Sequence, residues 1–422
     1  MRVAHFTDTY LPRRDGVVTS VLSLDRALRA AGHDCMVVVP RHPAVVADAG
    51  QRLLMLRSVP SGVAGLRLVP WPRDRHVERV AAWSPDVVHV HTPGPAGLLG
   101  VLAARRLGVP LVHTYHTDLD AYLDAYRVPT RALRLLLAVY RRRLGDARPV
   151  AARGRAEMLR EVVRLVLGDA HAVVVPTPAI LDRVTLPVPP ERVHVVPTGV
   201  ASSTVPTGAV EEFRRRYRIG PGERVVLAVG RVNAEKSVDL LLAAFARVLA
   251  SQPRARLVLV GEVYDEAALD RAVTAAGVRR RVVVTGQLPP EGVAAAYVVT
   301  QRTAGVLAFP SRTDTQGLVL QEAAHAGVPA VMTDEDLCAQ GPLAGAALCV
   351  PPTAAGFASG VDALLANSVL ARSLAHRARL AVAGHTPTAY GAAMLGLYTQ
   401  VTESTGASPR DPVRRRGAAA GT

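Results

Sequence analysis

Two carboxylates, Asp314 and Glu322, stand eight positions apart in the stretch SRTDTQGLVLQEAAHAGVPAV. An apolar run at 304–309 precedes the stretch and predicts a buried strand. Residues 317–326 read as the following helix, with Thr313 and Asp314 placed where a helix is capped. Ligands of an open α/β sheet bind at the carboxyl ends of its strands, which is where this loop would lie. On the acidic spacing alone, a ligand-binding loop and an ordinary strand–turn–helix are equally good interpretations.

A lysine is the second chemically distinctive group. Lys236 is the only lysine among the 50 basic residues, and all the others are arginines. It lies in the segment VGRVNAEKS, where a strand end, the turn glycine Gly230 and a helix start follow one another. Backbone amides at a helix start suit a phosphate, and Arg231 and Lys236 would add a bidentate guanidinium and a compact ammonium. The segment predicts a diphosphate site; the alternative is that Lys236 pairs locally with Glu235 or Asp239.

The loop after the first predicted strand, DTYLPRRDGVV, carries a glycine at the entry to its helix. Gly16 would allow an anion to approach the backbone closely. Because the loop lacks a G-x-G-x-x-G pattern, it counts against a dinucleotide-binding dehydrogenase. Taken alone, a glycine at this position is also typical of an ordinary turn.

Histidines are concentrated on two neighbouring predicted strands, at 87–91 and 111–115. No carboxylate or cysteine spacing completes a metal-ligand set around them, so we expect no metal site. His116 follows the carboxyl end of its strand and is therefore the candidate functional histidine. The four residues concerned are His89, His91, His113 and His116.

The chain is strongly basic, with a formal net charge of +15 over 422 residues. Such a charge calls for an anionic partner, which could be nucleic acid, a lipid surface or a phosphorylated substrate. With only 4% aromatic residues, a groove that stacks nucleic-acid bases is poorly supported. Residues 127–164 carry eleven arginines against three acids on two amphipathic helical patterns. They indicate either a solvated helix face or a docking surface for anionic lipid headgroups.

The rhythm of apolar runs and helical patterns occurs twice along the chain, with a Ser/Thr/Pro/Gly-rich segment between the two halves. This predicts an α/β fold of two doubly wound, Rossmann-like domains that face each other across a cleft. We expect an N-terminal domain at 1–200, a nucleotide-sugar-binding domain at 201–385 and a separate C-terminal helix at 386–401. Residues 402–422 have the composition of a disordered basic tail.

Cysteine usage and the absence of long apolar segments bear on the compartment. Cys35, Cys338 and Cys349 show no paired spacing, which predicts a reducing compartment and no zinc site. The strand pattern begins at the second residue and leaves no room for a signal peptide, and no apolar run approaches the ~20 residues of a membrane-spanning helix. We expect a cytoplasmic protein, peripheral on the inner face of the membrane if the basic helices bind lipid.

Several segments, in this order, resemble the retaining GT-B glycosyltransferases of family four, or group 1, over nearly the whole chain to about residue 401. They include FTDTYLPRRDGVVTS, PDVVHVHTPGPAGLLG, VPLVHTYHTDLDAY, LAVGRVNAEKSVDLLLAAF and the stretch that carries the two carboxylates. That stretch is similar to the E-x7-E element of the family, with Asp314 and Glu322 in the acidic positions. Asp314 departs from the usual glutamate. Members with T-[DE]-T-Q-G-L at this point include transferases that add glucose or mannose to lipids, and the C-terminal helix of the fold packs back on the N-terminal domain.

The resemblance implies a role for each candidate residue on the donor side. Arg231 and Lys236 would hold the donor diphosphate, and Gly16 would face it from the other domain. Glu322 would accept hydrogen bonds from the ribose hydroxyls. Asp314 would grip the donor sugar together with the backbone of Gln316, Gly317, Leu318 and Val319.

On the acceptor side, the resemblance places His116 beside the sugar, where it would support catalysis with Asp314. Tyr10 and Asp118 would lie near the acceptor. The resemblance further implies transfer with retention of configuration and without metal or other cofactor, since positive charge and a helix start would stabilise the leaving diphosphate. The acceptor would be a membrane lipid or glycolipid, or alternatively a soluble small molecule. A sugar-nucleotide epimerase of the same fold and, last, a nucleic-acid-binding protein are the competing interpretations.

Overall fold

Short runs of buried valine, leucine and alanine form the strands of this chain. The computed structural model describes residues 1–406 except 46, 48, 49, 61–66, 71, 72, 117–128, 149–151, 153, 202 and 203. Strand β8 (Ala172–Val175) and strand β13 (Val306–Phe309) are buried at every residue. Burial of successive residues on both faces is typical of a parallel sheet covered by helices on both sides.

In the described part of the chain, the N-terminal sheet has seven parallel strands in the order β3-β2-β1-β6-β7-β8-β9. A separate antiparallel pair, β4 with β5, follows β3. The strands are β1 (Arg2–Phe6), β2 (Asp34–Pro40), β3 (Arg52–Leu56), β4 (Val59–Pro60), β5 (Arg67–Leu68), β6 (Val87–Val90), β7 (Leu111–Thr114), β8 and β9 (Val193–Val195). Among the described residues, the helices between them are α1 (Gly16–Ala30), α2 (Asp74–Trp83), α3 (Pro95–Leu107), α4 (Thr130–Leu144) and α5 (Arg155–Leu167).

The C-terminal sheet has six parallel strands in the order β12-β11-β10-β13-β14-β15. Its strands are β10 (Arg224–Val229), β11 (Ala255–Val260), β12 (Val282–Gly286), β13, β14 (Ala330–Met332) and β15 (Leu348–Cys349). The remaining helices are α6 (Ala209–Arg216), α7 (Val238–Ser251), α8 (Glu266–Ala275), α9 (Pro290–Arg302), α10 (Leu318–His325), α11 (Glu335–Gln340), α12 (Ala354–Ala366), α13 (Ser368–Val382) and α14 (Pro387–Ser404).

Both sheets reverse their strand order once, between β1 and β6 in the first and between β10 and β13 in the second. Ligands of doubly wound sheets bind at this reversal, outside the carboxyl ends of the strands. The loops after β1, β10 and β13 are the ones that carry Gly16, Arg231 and Asp314. The structure confirms the predicted architecture of two Rossmann-like sheets, and it places these loops where a ligand would bind.

The C-terminal helix α14 packs against α1 and the N-terminal sheet. Gly391 permits a close approach, because a Cβ atom there would lie 2.6 Å from the Cβ atom of Ala27 on α1. Two buried tyrosine hydroxyls of α14 enter the same core. Tyr390 lies 3.0 Å from the Ser20 hydroxyl, and Tyr398 lies 2.7 Å from Nδ1 of His89. The helix therefore ties the end of the second domain to the interior of the first.

The cysteine pattern is where the structure differs from the sequence-based expectation. Cys338 in α11 and Cys349 in β15 form a disulfide with a Cα–Cα distance of 6.1 Å, which is within the usual range for such a bond. Cys35 is a buried free thiol, and burial raises its pKa to about 12. The inference of a reducing compartment from unpaired cysteines was wrong in its premise, because two of the three cysteines are bonded to each other.

None of the described helices alone is both long and apolar enough to cross a bilayer, although the bent pair Ala354–Ala366 and Ser368–Ser404 passes on length and composition only.

Candidate active site

Contacts between the two domains bring the candidate loops together. A Cβ atom at Gly16 would lie 3.9 Å from Leu318, which begins α10 in the other domain. The Thr315 hydroxyl donates to the backbone carbonyl of His116 at 2.8 Å, and the Thr177 hydroxyl donates to the carbonyl of Thr315 at 2.6 Å. The loop that carries Asp314 is thus held directly against the carboxyl end of β7.

The pairing of Lys236 with Asp314 is the centre of the site. The ammonium Nζ lies 2.8 Å from each carboxylate oxygen, although the residues are 78 positions apart. Burial acts to raise the pKa of Asp314, but Lys236, the Ser311 hydroxyl and the charge of Arg231 outweigh it and lower that pKa. Asp314 is therefore an ionised carboxylate at neutral pH and has no proton to give.

Arg231 stands beside this pair, directly after the turn at Gly230. Its guanidinium donates to Glu235 at 2.6 Å, and the same carboxylate oxygen lies 3.5 Å from Nζ of Lys236. The local pairing considered for Lys236 is thus present, but it is the longer of its two ion pairs. A 3-10 turn at Ala234–Lys236 precedes α7, so Lys236 ends this turn two residues before α7 begins at Val238.

Glu322 lies on α10 and carries a perturbed carboxyl group. Partial burial raises the pKa of Glu322 to about 7, and a hydrogen bond from the Tyr297 hydroxyl at 2.9 Å acts in the opposite direction. The same hydroxyl lies 3.2 Å from the carbonyl oxygen of Val319. Tyr297 therefore orients both the carboxylate and the first turn of α10.

The resemblance implies a donor contact for the backbone of Gln316, and its side chain is engaged elsewhere. Its side-chain amide is buried, accepts from the backbone N–H of Thr198 at 3.1 Å and donates to the carbonyl of Thr198 at 3.1 Å. It joins the domains by its side chain, and only its backbone remains for a ligand.

The predicted helix cap is corrected by the structure. Gly317, at φ +68°, precedes α10 without a side-chain cap, and Asp314 binds Lys236 instead of capping the helix.

His116 is partly exposed, and hydrogen bonds connect its ring to other histidines in the N-terminal core. Its Nε2 lies 3.0 Å from Nδ1 of His91, and Nε2 of His91 lies 3.1 Å from Nδ1 of His5. On the acceptor side, Tyr10 is buried, and its hydroxyl accepts from the side-chain amide of Gln51 at 2.8 Å. Asp118 lies outside the described residues.

One group of histidines has metal-like spacing. The ring nitrogens of His5, His89 and His91 lie within 4.8 Å of one another. Both nitrogens of His89 are already engaged, by Tyr398 and by the Thr114 hydroxyl, each at 2.7 Å. Both nitrogens of His91 bind other imidazoles. These hydrogen bonds account for the cluster as an interior polar network.

Comparison with known proteins places this geometry in a family. Residues 14–203 match the profile of Glycosyltransferase Family 4, and residues 209–381 match that of Glycosyl transferases group 1. A GDP-mannose-dependent alpha-mannosyltransferase of Mycobacterium tuberculosis is 30% identical over 340 residues, which cover 79% of each chain. The chain belongs to the family-four, group 1 glycosyltransferases. The expected family and the expected enzyme class are confirmed.

Two further similarities agree with this family. An alpha-monoglucosyldiacylglycerol synthase of Streptococcus pneumoniae is 26% identical to this glycosyltransferase over 337 residues, 78% of this chain and 70% of that protein. The solved structure of a sucrose-phosphate synthase from Thermosynechococcus elongatus aligns with a TM-score of 0.71 at 22% identity, over 96% of this chain and 99% of that one. The structural likeness supports the GT-B fold.

Two side chains of the site were missed by the sequence reading. Tyr297 lies in an alanine- and valine-rich stretch for which no helix was predicted. The sequence pattern therefore did not distinguish it from an aromatic residue of the hydrophobic core. Arg183 donates to Asp336 at 2.6 Å, pairs with Asp334 and reaches the carbonyl of Asp314 at 3.3 Å. It was one of many arginines in the sequence, and only the docking of the domains distinguishes it.

Proposed function

We propose that this glycosyltransferase moves a hexose from a nucleotide-diphosphate sugar to a hydroxyl group of a membrane lipid or glycolipid, with retention of configuration and without a metal ion. The pairing of Lys236 with Asp314 beside Arg231, at the carboxyl ends of β10 and β13, carries the proposal. Two cations and one carboxylate at the reversal of a parallel sheet suit a ligand with a diphosphate joined to a polyol.

Each donor group has a partner in this arrangement. Arg231 and Lys236 bind the diphosphate and stabilise the charge that develops on it as the glycosidic bond breaks. Glu322, once ionised, accepts hydrogen bonds from the two ribose hydroxyls. Asp314 shares its negative charge between Lys236 and the sugar hydroxyls. These two cations supply the positive charge for which other transferases use a metal ion.

The acceptor hydroxyl must give its proton to a base during transfer. The two candidate side chains, Asp314 and His116, are poorly suited to be that base. Asp314 is ionised but bound to Lys236 at both oxygens. Burial lowers the pKa of His116 to about 4, so its ring is neutral but weakly basic. We therefore assign the proton to the departing phosphate oxygen: the new C–O bond forms on the face from which the diphosphate leaves, and the diphosphate takes the acceptor proton.

The choice of acceptor and donor rests on the relatives. One of them is named for the synthesis of a glucosyl diacylglycerol and another for the use of GDP-mannose. GDP-mannose and UDP-glucose are therefore the two donors to be tested first. A soluble acceptor is the second candidate, since one scaffold serves many acceptors.

Helix α4 provides a surface for an anionic membrane. Its outer face exposes basic residues with one large apolar side chain, and Leu135 is 67% exposed. Three arginines of this face, Arg131, Arg134 and Arg142, have no ion-pair partner among the described residues. A helix that combines exposed guanidinium groups with an apolar residue is suited to lie on anionic headgroups. The face comprises Arg131, Arg134, Leu135, Ala138 and Arg142.

The structure of the reaction product tests the chemistry. Purified protein is incubated in EDTA with each donor and a diacylglycerol-containing lipid extract, and the one-bond coupling between the anomeric carbon and its proton is measured in the product by NMR, because this coupling distinguishes the anomers of both glucose and mannose. We expect a lipid-linked sugar with the α configuration of the donor. A β-linked product refutes retention, loss of turnover in EDTA refutes metal independence, and donor conversion without acceptor indicates an epimerase.

Flotation with vesicles tests the membrane surface separately. Replacement of the three α4 arginines by glutamine should abolish co-flotation with phosphatidylglycerol vesicles but leave transfer to a water-soluble acceptor unchanged. The matched control removes three exposed arginines of the C-terminal domain, Arg271, Arg280 and Arg372. Equal losses in both triple variants would show a general charge effect and refute docking through α4.

A further inference from the structure

Three imidazole rings run in line from the cleft into the N-terminal core. His5 lies on β1, His91 directly follows β6, and His116 follows β7. The links are 3.1 Å from Nδ1 of His5 to Nε2 of His91 and 3.0 Å from Nδ1 of His91 to Nε2 of His116. His5 and His91 are buried, whereas His116 is partly exposed and forms the cleft end of this histidine chain.

Protons on the histidine chain cannot be placed independently. Burial lowers the pKa of His5 and of His116 to about 4 and holds that of His91 well below its usual value, so all three rings are neutral at pH 7. A neutral imidazole has one N–H donor and one lone pair. Because His91 uses both nitrogens, a donor must meet an acceptor at each link. All three rings then carry their proton on Nδ1, or all three carry it on Nε2.

The surroundings of His5, at the inner end of the histidine chain, select between these two arrangements of protons. Nε2 of His5 has no hydrogen-bond partner among the described residues, and the same holds for Oδ1 of the buried Asp25 on α1. The other oxygen of Asp25 accepts from Arg29 and Gln51. The negative charge of Asp25 acts on His5. A carboxylate charge electrostatically favours an N–H group over a lone pair, and Nε2 is the ring nitrogen of His5 that His91 does not engage, which assigns the proton to Nε2 of His5.

We propose that His5 and His91 are positioning residues that hold His116 in its Nε2–H tautomer, which leaves the Nδ1 lone pair of His116 for a substrate hydroxyl. The identity of that hydroxyl, on the donor sugar or the acceptor, rests on the proposed function. The tautomer does not, because it follows from hydrogen bonds within the chain. In this arrangement His116 accepts a hydrogen bond in the cleft and does not donate one.

NMR of histidine-labelled wild-type protein tests the proposal without any substrate. The ¹⁵N shifts of the ring nitrogens distinguish the two tautomers, and single-site histidine variants assign the signals. We expect His5, His91 and His116 all to be protonated on Nε2. A proton on Nδ1 of His116, or different tautomers within the chain, overturns the proposal. Inactivity towards every nucleotide sugar would overturn the proposed function and leave this result standing.

Variants of His91 supply a second test, with His113 as a matched control. His113 lies on β7, is equally buried, and has no partner at either ring nitrogen among the described residues. His91→Leu should lower kcat/KM for the donor about tenfold, as expected for one misdirected hydrogen bond, whereas His113→Leu should leave it unchanged. His91→Asn, which keeps an acceptor near the Nδ1 position, should restore most of the activity.

The outcomes are distinguishable even if one variant is unstable. Equal kcat/KM values for His91→Leu and wild type, or equal losses in His91→Leu and His113→Leu, contradict a positioning role. If His91→Leu does not fold, the wild-type tautomer and the His91→Asn variant decide. An Nδ1–H signal from His116 in His91→Asn together with wild-type activity would show that the tautomer is irrelevant to turnover.

Discussion

Donor binding should depend on pH through Glu322. The pKa of this carboxyl is raised to about 7, and the proposed contact with two ribose hydroxyls requires the ionised form. The ionised fraction is about 90% at pH 8 and about 10% at pH 6, if a single group titrates. Because the apparent dissociation constant varies inversely with the competent fraction, donor affinity should fall about tenfold between pH 8 and pH 6.

Calorimetric titration with the intact nucleotide sugar measures this effect. The intact donor is preferable to the free nucleotide, because its diphosphate diester has no proton to lose near neutral pH. Glu322→Gln should bind more weakly at pH 8 and lose the pH dependence. In Tyr297→Phe the hydrogen bond that lowers the pKa of Glu322 is absent, so the midpoint should move to higher pH.

Two results would refute this reasoning. The first is an affinity that is constant from pH 6 to pH 8 in the wild type. The second is an equal pH dependence in Glu322→Gln, which would assign the titration to another group.

The contacts between the domains predict losses of stability. Gln316→Ala leaves the buried N–H of Thr198 without its acceptor and the carbonyl of Thr198 with only the longer hydrogen bond from Gln321, and it should cost about 1–3 kcal/mol, measured by urea unfolding at pH 8. Arg183→Met leaves the buried Asp334 carboxylate without its guanidinium and should cost about 3 kcal/mol at pH 8. Burial already raises the pKa of Asp334, so the loss in Arg183→Met should diminish as the pH falls and the carboxyl becomes protonated. A loss independent of pH would contradict that cause.

Strand positions and the order of the motifs were predictable from the sequence, because a fully buried parallel strand reads as a continuous apolar run between turn residues. The same rhythm located the loops that carry Gly16, Arg231 and Asp314. The single lysine was informative for a different reason. In a chain whose basic residues are otherwise all arginine, Lys236 marked a position that the structure pairs with a distant carboxylate.

Contacts made across the domain interface were not predictable. The side chain of Gln316 stands next to the donor motif in sequence, yet it points to Thr198 of the other domain. Tyr297 reaches Glu322 from a helix that carries no polar signal of its own. His5 was read only as part of the first strand, and its link to His91 depends on the register of β1 with β6. Such partners are set by docking, not by local pattern.

The central claim is that Arg231 and Lys236 hold the diphosphate of a nucleotide sugar. Its most direct test measures sugar transfer by purified, folded Lys236→Ala protein beside the wild type, with the donor that calorimetry identifies. The account predicts that the variant loses transfer by about 100-fold or more while its thermal unfolding stays close to that of the wild type. Wild-type transfer rates from folded Lys236→Ala protein would contradict it.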